Sequence, residues 1–136
     1  GYKRRDILDA LEGTPRWENL AVRFEAPSLW DAFLELLIGA GYEVHARPDV
    51  TQPVRPDPAV QAVLLDMYRN NVRLRRVAEN LLDLDEGLQE WRYRHVKMVE
   101  RTIGRKPGTG GSEGTAYLRT TLNPAFPDLW EIRSRL

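Results

Sequence analysis

The sequence predicts an all-α fold, a helical bundle, on three observations. Apolar residues recur at spacings of three and four along most of the chain; strict apolar–polar alternation is hard to find; and prolines gather between the periodic runs. Long amphipathic helices of this kind bury their apolar stripes against one another, and a tight antiparallel bundle is the natural arrangement.

The elements follow in order. A short helix is expected over residues 5–11 and a turn or helix over 17–24. "APSLWDAFLELLIGAG" is clearer: Ser28 stands three residues before Asp31 in a capping-box pattern, and Gly39 and Gly41 supply the stop. Leu29, Phe33, Leu36 and Leu37 are its expected buried face. Pro48, Pro53, Pro56 and Pro58 then make residues 42–58 a surface connection, because each removes a backbone donor. Periodicity resumes with Val60, Val63, Leu64, Met67 and Tyr68 and leads into the longest run of the chain. There Leu74, Val77, Leu81, Leu84, Leu88, Trp91, His95, Met98 and Thr102 fall on one predicted stripe, opposite Arg92, Arg94, Lys97, Glu100 and Arg101. Gly87 in this helix marks either a close approach by a neighbour or a tolerated weak point, since glycine costs about 1 kcal/mol relative to alanine there. A glycine-rich segment over 104–114 follows. "YLRTTL" can form a short helix, and after Pro124 and Pro127 comes a last helical piece, "DLWEIRSRL".

Composition narrows the function classes. The chain has 136 residues, 42% of them hydrophobic, with 20 Lys plus Arg balancing 20 Asp plus Glu. Zero net charge provides no field to attract nucleic acid or an anionic membrane, so neither is expected as a partner. The absence of cysteine excludes disulfides, thiolate zinc sites and iron–sulfur clusters. No apolar run is long enough to span a bilayer and no signal-peptide pattern opens the chain, so a cytoplasmic location is expected. The chain opens on Gly1 rather than Met, so a processed, tagged or truncated chain is expected.

His95 needs an explanation, because an imidazole on an apolar stripe must be satisfied. One reading is a core histidine bonded to a backbone carbonyl; the other is a metal ligand. The only other histidine, His45, is fifty residues away in the proline-rich connection, so a zinc site of two or three histidines is not expected. Heme differs, since its porphyrin supplies four nitrogens and one axial histidine can suffice. Trp91 and Val99, one turn to either side, would provide a flat apolar wall. The acidic "DLDEG" at residues 83–87 and most other carboxylates read as solvated surface rather than a calcium loop. The glycine-rich segment is open between a flexible linker and a place where backbone approaches a ligand, with an anion at a helix N-terminus as one possibility. It is not a Walker A loop, as no Gly-Lys followed by Ser or Thr occurs.

Taken together, "LDLDEGLQEWRYRHVKMVERTIGRKPGTGGSEGTAYLRTTL" and "FPDLWEIRSRL" resemble the C-terminal part of the tryptophan 2,3-dioxygenase family, and "APSLWDAFLELL" is similar to a preceding helix of that family. The resemblance implies an all-α domain holding heme b, in a cytoplasmic homotetramer that uses O2 to open the indole ring of L-tryptophan, giving N-formylkynurenine in the kynurenine pathway. It implies that His95 is the axial heme-iron ligand and that Trp91 packs at the heme edge near a propionate. Thr109 would contact the ammonium and carboxylate end of the substrate, with Gly108, Gly110, Gly111 and Ser112 shaping that wall. The family's upstream motifs, which carry the distal histidine, the substrate-carboxylate arginine and the aromatic pocket walls, do not occur here. The resemblance sets Gly1 just after the second of those motifs, so the distal residues are expected upstream of Gly1 and no catalytic residue is expected within the chain. The chain is therefore expected to be the C-terminal portion of a longer enzyme, inactive by itself. A related heme-dependent aromatic monooxygenase and a non-enzymatic helical interaction module are the alternatives.

Overall fold

The computed structural model describes residues 9, 12–104, 119 and 122–136. Among them the regular structure is entirely helical: α1 (Trp17–Glu25), α2 (Leu29–Gly39), α3 (Pro58–Asn70), α4 (Val72–Ile103), α5 (Pro127–Glu131) and a closing 3-10 turn (Ile132–Arg135). The helices expected over 5–11 and 117–122 lie outside the described residues, apart from isolated positions. Gly1, the reference point for the expected upstream residues, lies outside them too. Two compact units divide the chain after Val63, within α3.

In the first unit, α1 stops because Ala26 precedes a proline and takes up extended backbone (ψ 143°). Ser28 then starts α2 with the expected capping box: its hydroxyl accepts the Asp31 N–H at 3.4 Å, and the Asp31 carboxylate accepts the Ser28 N–H at 2.7 Å. The buried face of α2 differs from the predicted one. Trp30, Asp31, Phe33, Leu34 and Leu37 are inside, whereas Leu29 and Leu36 are 57% and 46% exposed. Residues 30, 33, 34 and 37 complete the i, i+3, i+4, i+7 pattern that a helix needs for a broad apolar stripe. The Trp30 and Phe33 rings pack at 5.6 Å.

Asp31 is buried because it has a second partner. Arg47 clasps it in bidentate fashion, Nε to Oδ1 at 2.6 Å and Nη2 to Oδ2 at 3.1 Å, and also donates to the carbonyls of Gln52 (3.0 Å) and Val50 (3.1 Å). Burial raises the Asp31 pKa, but the hydrogen bonds from Arg47 and Ser28 outweigh it and bring the carboxyl down to about 2. Residues 42–57 form no helix or strand, as the prolines require, yet the connection is wound around a guanidinium and buries Val44.

Helix α3 opens at Pro58, whose missing N–H is no loss in a first turn, and the Asp57 carboxylate accepts the Ala59 N–H at 2.8 Å. Val60, Leu64, Met67 and Tyr68 are buried as expected. Asn71 breaks the path with extended backbone and caps the next helix, its side-chain oxygen accepting the Leu74 N–H at 3.1 Å. Helix α4 then runs for 32 residues, about 48 Å at the usual rise. It ends where Gly104 takes a positive φ of 62° and donates its N–H to the Glu100 carbonyl at 2.9 Å. In this second unit α5 packs on α4, burying Phe126, Leu129 and Ile132.

Candidate functional site

Helix α4 carries two apolar stripes rather than the single one expected. Leu74, Ala78, Leu81, Leu82, Asp85 and Val96 are buried. The other stripe holds Leu84, Trp91 and Met98, which are 51%, 61% and 58% exposed, together with exposed Thr102 and half-buried Val77, Leu88 and His95. At about 100° per residue the two stripes lie roughly a quarter-turn apart, so one faces the partners present in this chain and the other faces away. The predicted nine-residue stripe merges them at its N-terminal end, where Leu74 and Leu81 are inside.

His95 sits in the exposed stripe. Its ring stacks on Trp91, one turn earlier, with centroids 5.5 Å apart and planes 12° apart. Val99, one turn later, is half-buried. Among the described residues no hydrogen-bond partner reaches either His95 ring nitrogen, which is not the geometry of a core histidine tied to a carbonyl. His45 is exposed in the first unit. No group of three or more His, Cys, Asp or Glu able to hold a metal occurs among the described residues. A bare metal ion therefore lacks a donor set here. A planar group that brings its own equatorial nitrogens needs one imidazole and a flat apolar wall, and this face of α4 offers both.

A second feature was not read from the sequence. Residue 119 and residues 123–133 lie antiparallel along α4 and are stitched to it at four levels. Arg119 pairs with Glu100 (Nε to Oε1, 3.0 Å), and Arg92 donates to the Asn123 carbonyl at 3.1 Å. Asp85 accepts the Ala125 N–H at 2.9 Å, the Phe126 N–H at 3.1 Å and the Trp130 indole N–H at 2.9 Å. Arg133 pairs with Glu79 at 2.7 Å. Asp85 is fully buried, so the "DLDEG" run is not all solvated surface. Arg92, expected on the outer face, is half-buried. Arg119, with help from Lys97, holds Glu100 below the usual carboxylate range. Arg133 does the same for Glu79, and burial beside Glu79 raises the Tyr68 phenol.

Two open grooves flank the stitched segment. One, of about 380 Å³, is lined by Glu86, Gln89, Glu90, Tyr93, Leu122 and Trp130. The other, of about 360 Å³, is lined by Tyr68, Arg69, Arg75, Glu79, Arg133 and Leu136. The remaining expected site residues, Gly108, Thr109, Gly110, Gly111 and Ser112, lie outside the described residues. The structure does describe the two ends of their segment: Gly104 on the Glu100 carbonyl and Arg119 on the Glu100 carboxylate. No described helix is long and apolar enough to cross a membrane.

Comparison with known proteins gives consistent matches. The family profile described as tryptophan 2,3-dioxygenase matches residues 53–136. A tryptophan 2,3-dioxygenase of Herpetosiphon aurantiacus is 53% identical over 139 aligned residues, covering 100% of this chain and 54% of the relative. One from Anaeromyxobacter sp. is 54% identical over 129 residues, 91% of this chain and 48% of the relative. One from Bacillus thuringiensis is 40% identical over 144 residues, 100% of this chain and 52% of the relative. The chain thus spans about half the length of the curated relatives it matches.

Proposed function

The chain belongs to the tryptophan 2,3-dioxygenase family, and from that premise we propose that it forms the heme-ligating part of an enzyme that uses O2 to open the indole ring of L-tryptophan to N-formylkynurenine. The observation that carries this reading is His95, set among mainly apolar residues on the outward stripe of α4, stacked on Trp91 and without a hydrogen-bond partner among the described residues.

Heme b, when bound, would supply the redox-active iron that activates dioxygen. The rest is the work of side chains. His95 would act as a neutral imidazole, one nitrogen directed to the iron and the other donating to an acceptor from outside the described residues. The near-parallel Trp91 ring restricts rotation of that imidazole, and Leu84, Leu88, Met98 and Val99 would cover the macrocycle and keep water from it. Thr109, among Gly108, Gly110, Gly111 and Ser112, would bind the ammonium and carboxylate of tryptophan, since a hydroxyl can both donate and accept and glycines let backbone come close. The opposite pocket wall, with the distal catalytic residues, would come from the part of the enzyme upstream of Gly1, in a cytoplasmic homotetramer.

The test uses the full-length, heme-loaded enzyme. His95→Ala should abolish the axial-histidine absorption spectrum and N-formylkynurenine formation. An unchanged spectrum in that variant refutes the assignment of His95. A hydroxylated indole in place of N-formylkynurenine from the parent enzyme would move the chemistry to a monooxygenase. The 136-residue chain by itself should show no turnover, and measurable turnover would contradict the need for a second wall.

A further inference from the structure

We propose that the open groove at the junction of α3 and α4 binds a small phosphate monoester, with Arg69 and Arg75 gripping its phosphate. All six residues that line this groove belong to the second unit. The site is separate from the one built on His95: Arg75 comes 20 residues earlier on α4, about 30 Å away along the helix at the usual rise.

The groove encloses about 360 Å³ between Tyr68, Arg69, Arg75, Glu79, Arg133 and Leu136. Three guanidinium side chains therefore share it with one carboxylate side chain, in a chain whose formal net charge is zero. Glu79 is already committed. It accepts from Arg133, Nη1 to Oε1 at 2.7 Å and Nη2 to Oε2 at 3.5 Å. Arg133 also lies over the Tyr68 ring, 5.8 Å from its centroid, with Nη1 3.4 Å from the phenol oxygen. That network fixes one wall and neutralises one cation. The other two guanidiniums keep most of their donors. Arg75 makes one long hydrogen bond, Nη1 to the Tyr68 carbonyl at 3.5 Å, and Arg69 makes none among the described residues. Arg69, in the last turn of α3, suits the negative end of that helix. Arg75 has no such reason to be where it is. It is the fourth residue of α4, near the positive end, and no acidic residue stands in the first turn of that helix to offset it.

Two cations with open donors match a ligand that carries two negative charges and several acceptor oxygens. A phosphate monoester has close to two charges at neutral pH and three strong acceptor oxygens, and the arginine fork fits a phosphate through paired bonds. A single carboxylate would fill one fork and leave the other guanidinium unanswered. The groove has room for more than the phosphate, since its volume falls within the roughly 300–1,000 Å³ of small-ligand pockets. Tyr68 and Leu136 supply carbon surface for the organic part of the ester.

Calorimetric titration of the full-length, heme-loaded enzyme with phenyl phosphate tests the proposal, beside benzoate, which carries the same ring and a single charge. In about 0.15 M salt, where distant surface charges are screened, phenyl phosphate should bind with a Kd of about 1 mM or tighter. Benzoate should bind about tenfold more weakly or worse. Arg69→Ala and Arg75→Ala change exposed side chains on different helices. Each should weaken phenyl phosphate about tenfold, the effect of losing a hydrogen bond to a charged group, with the axial-histidine absorption band unchanged. Arg76→Ala removes an exposed arginine next in sequence but outside the groove, and should alter Kd by less than about twofold. No binding by the parent enzyme at about 10 mM phenyl phosphate overturns the proposal. So does binding that survives both groove variants, or an equal loss in Arg76→Ala. Benzoate bound as tightly as phenyl phosphate overturns it too, because one charge would then be enough.

Discussion

Asp31→Asn tests how the proline-rich connection is held. In the folded chain the Asp31 carboxyl lies near pKa 2 against an ordinary 3.8. At about 1.4 kcal/mol per tenfold change in acidity, the ionised carboxylate contributes about 2.5 kcal/mol of stability at neutral pH. Its folded-state pKa is depressed, so the contribution is fully present above the unfolded value and is lost as pH falls through the folded one. The amide keeps part of the capping geometry but leaves Arg47 without its counter-ion, holding only the Gln52 and Val50 carbonyls. Urea unfolding of the parent chain and the variant at pH 7 should therefore differ by about 2–3 kcal/mol, and at pH 3 by about 1 kcal/mol less. The same penalty at both pH values would refute the claim that the ion pair is responsible. A penalty under about 0.5 kcal/mol at pH 7, the size of an ordinary surface change, would show that Arg47 finds equivalent partners without Asp31.

Three further outcomes are expected. Gly87→Ala should stabilise the 136-residue chain by about 0.8–1 kcal/mol from helix propensity, because a Cβ there meets nothing within 4 Å; a lower melting temperature would mean that a neighbour crosses α4 at that point. Trp91→Ala, at a side chain 61% exposed, should change the stability of the same chain by no more than about 0.5 kcal/mol while weakening hemin binding by the full-length enzyme several-fold in a spectrophotometric titration. Unchanged hemin affinity would remove Trp91 from the cofactor wall. Leu129→Ala empties a fully buried position on α5 and should cost about 2–5 kcal/mol in chemical denaturation; a loss below about 1 kcal/mol would show that α5 is not part of the second unit's core.

The helical class, the Ser28 cap and the proline connection were legible in the sequence because each depends on residues within a few positions of one another. The faces were harder to read. On α2 the sets beginning at Leu29 and at Trp30 both have helical spacing, and only the finished packing chose the second. On α4 two stripes compete: three leucines mark the buried one, but two leucines with Trp91 and Met98 mark the exposed one, so apolar content does not separate them. Among the described residues nothing covers Leu84, Trp91 and Met98 on that stripe. Asp85 escaped notice because its donors, two of them backbone N–H groups, lie 40, 41 and 45 residues away. Its phase with Ala78, Leu81 and Leu82 was the available signal. His95 and Trp91 could be singled out since stacking at i, i+4 is local, whereas the roles of Thr109 and its neighbouring glycines came from resemblance alone.

The four stitches between α4 and the return segment also suggest an order of assembly. They join residues 19, 31, 41 and 54 apart in sequence, from Glu100–Arg119 outward through Arg92–Asn123 and Asp85–Phe126 to Glu79–Arg133. Closing the widest loop first would carry the full entropy of a long chain. Once an inner pair has formed, each outer pair closes only a short additional stretch, and each halving of loop length saves about 0.6 kcal/mol. A zipper that starts near Glu100 and ends near Glu79 is thus the least costly path, and in reverse it makes the terminal 3-10 turn the first part to come loose. Amide exchange should follow that gradient, fastest around Arg133 and slower toward the Asp85 pin, so that fraying at the chain end stops before it reaches the turn that carries His95.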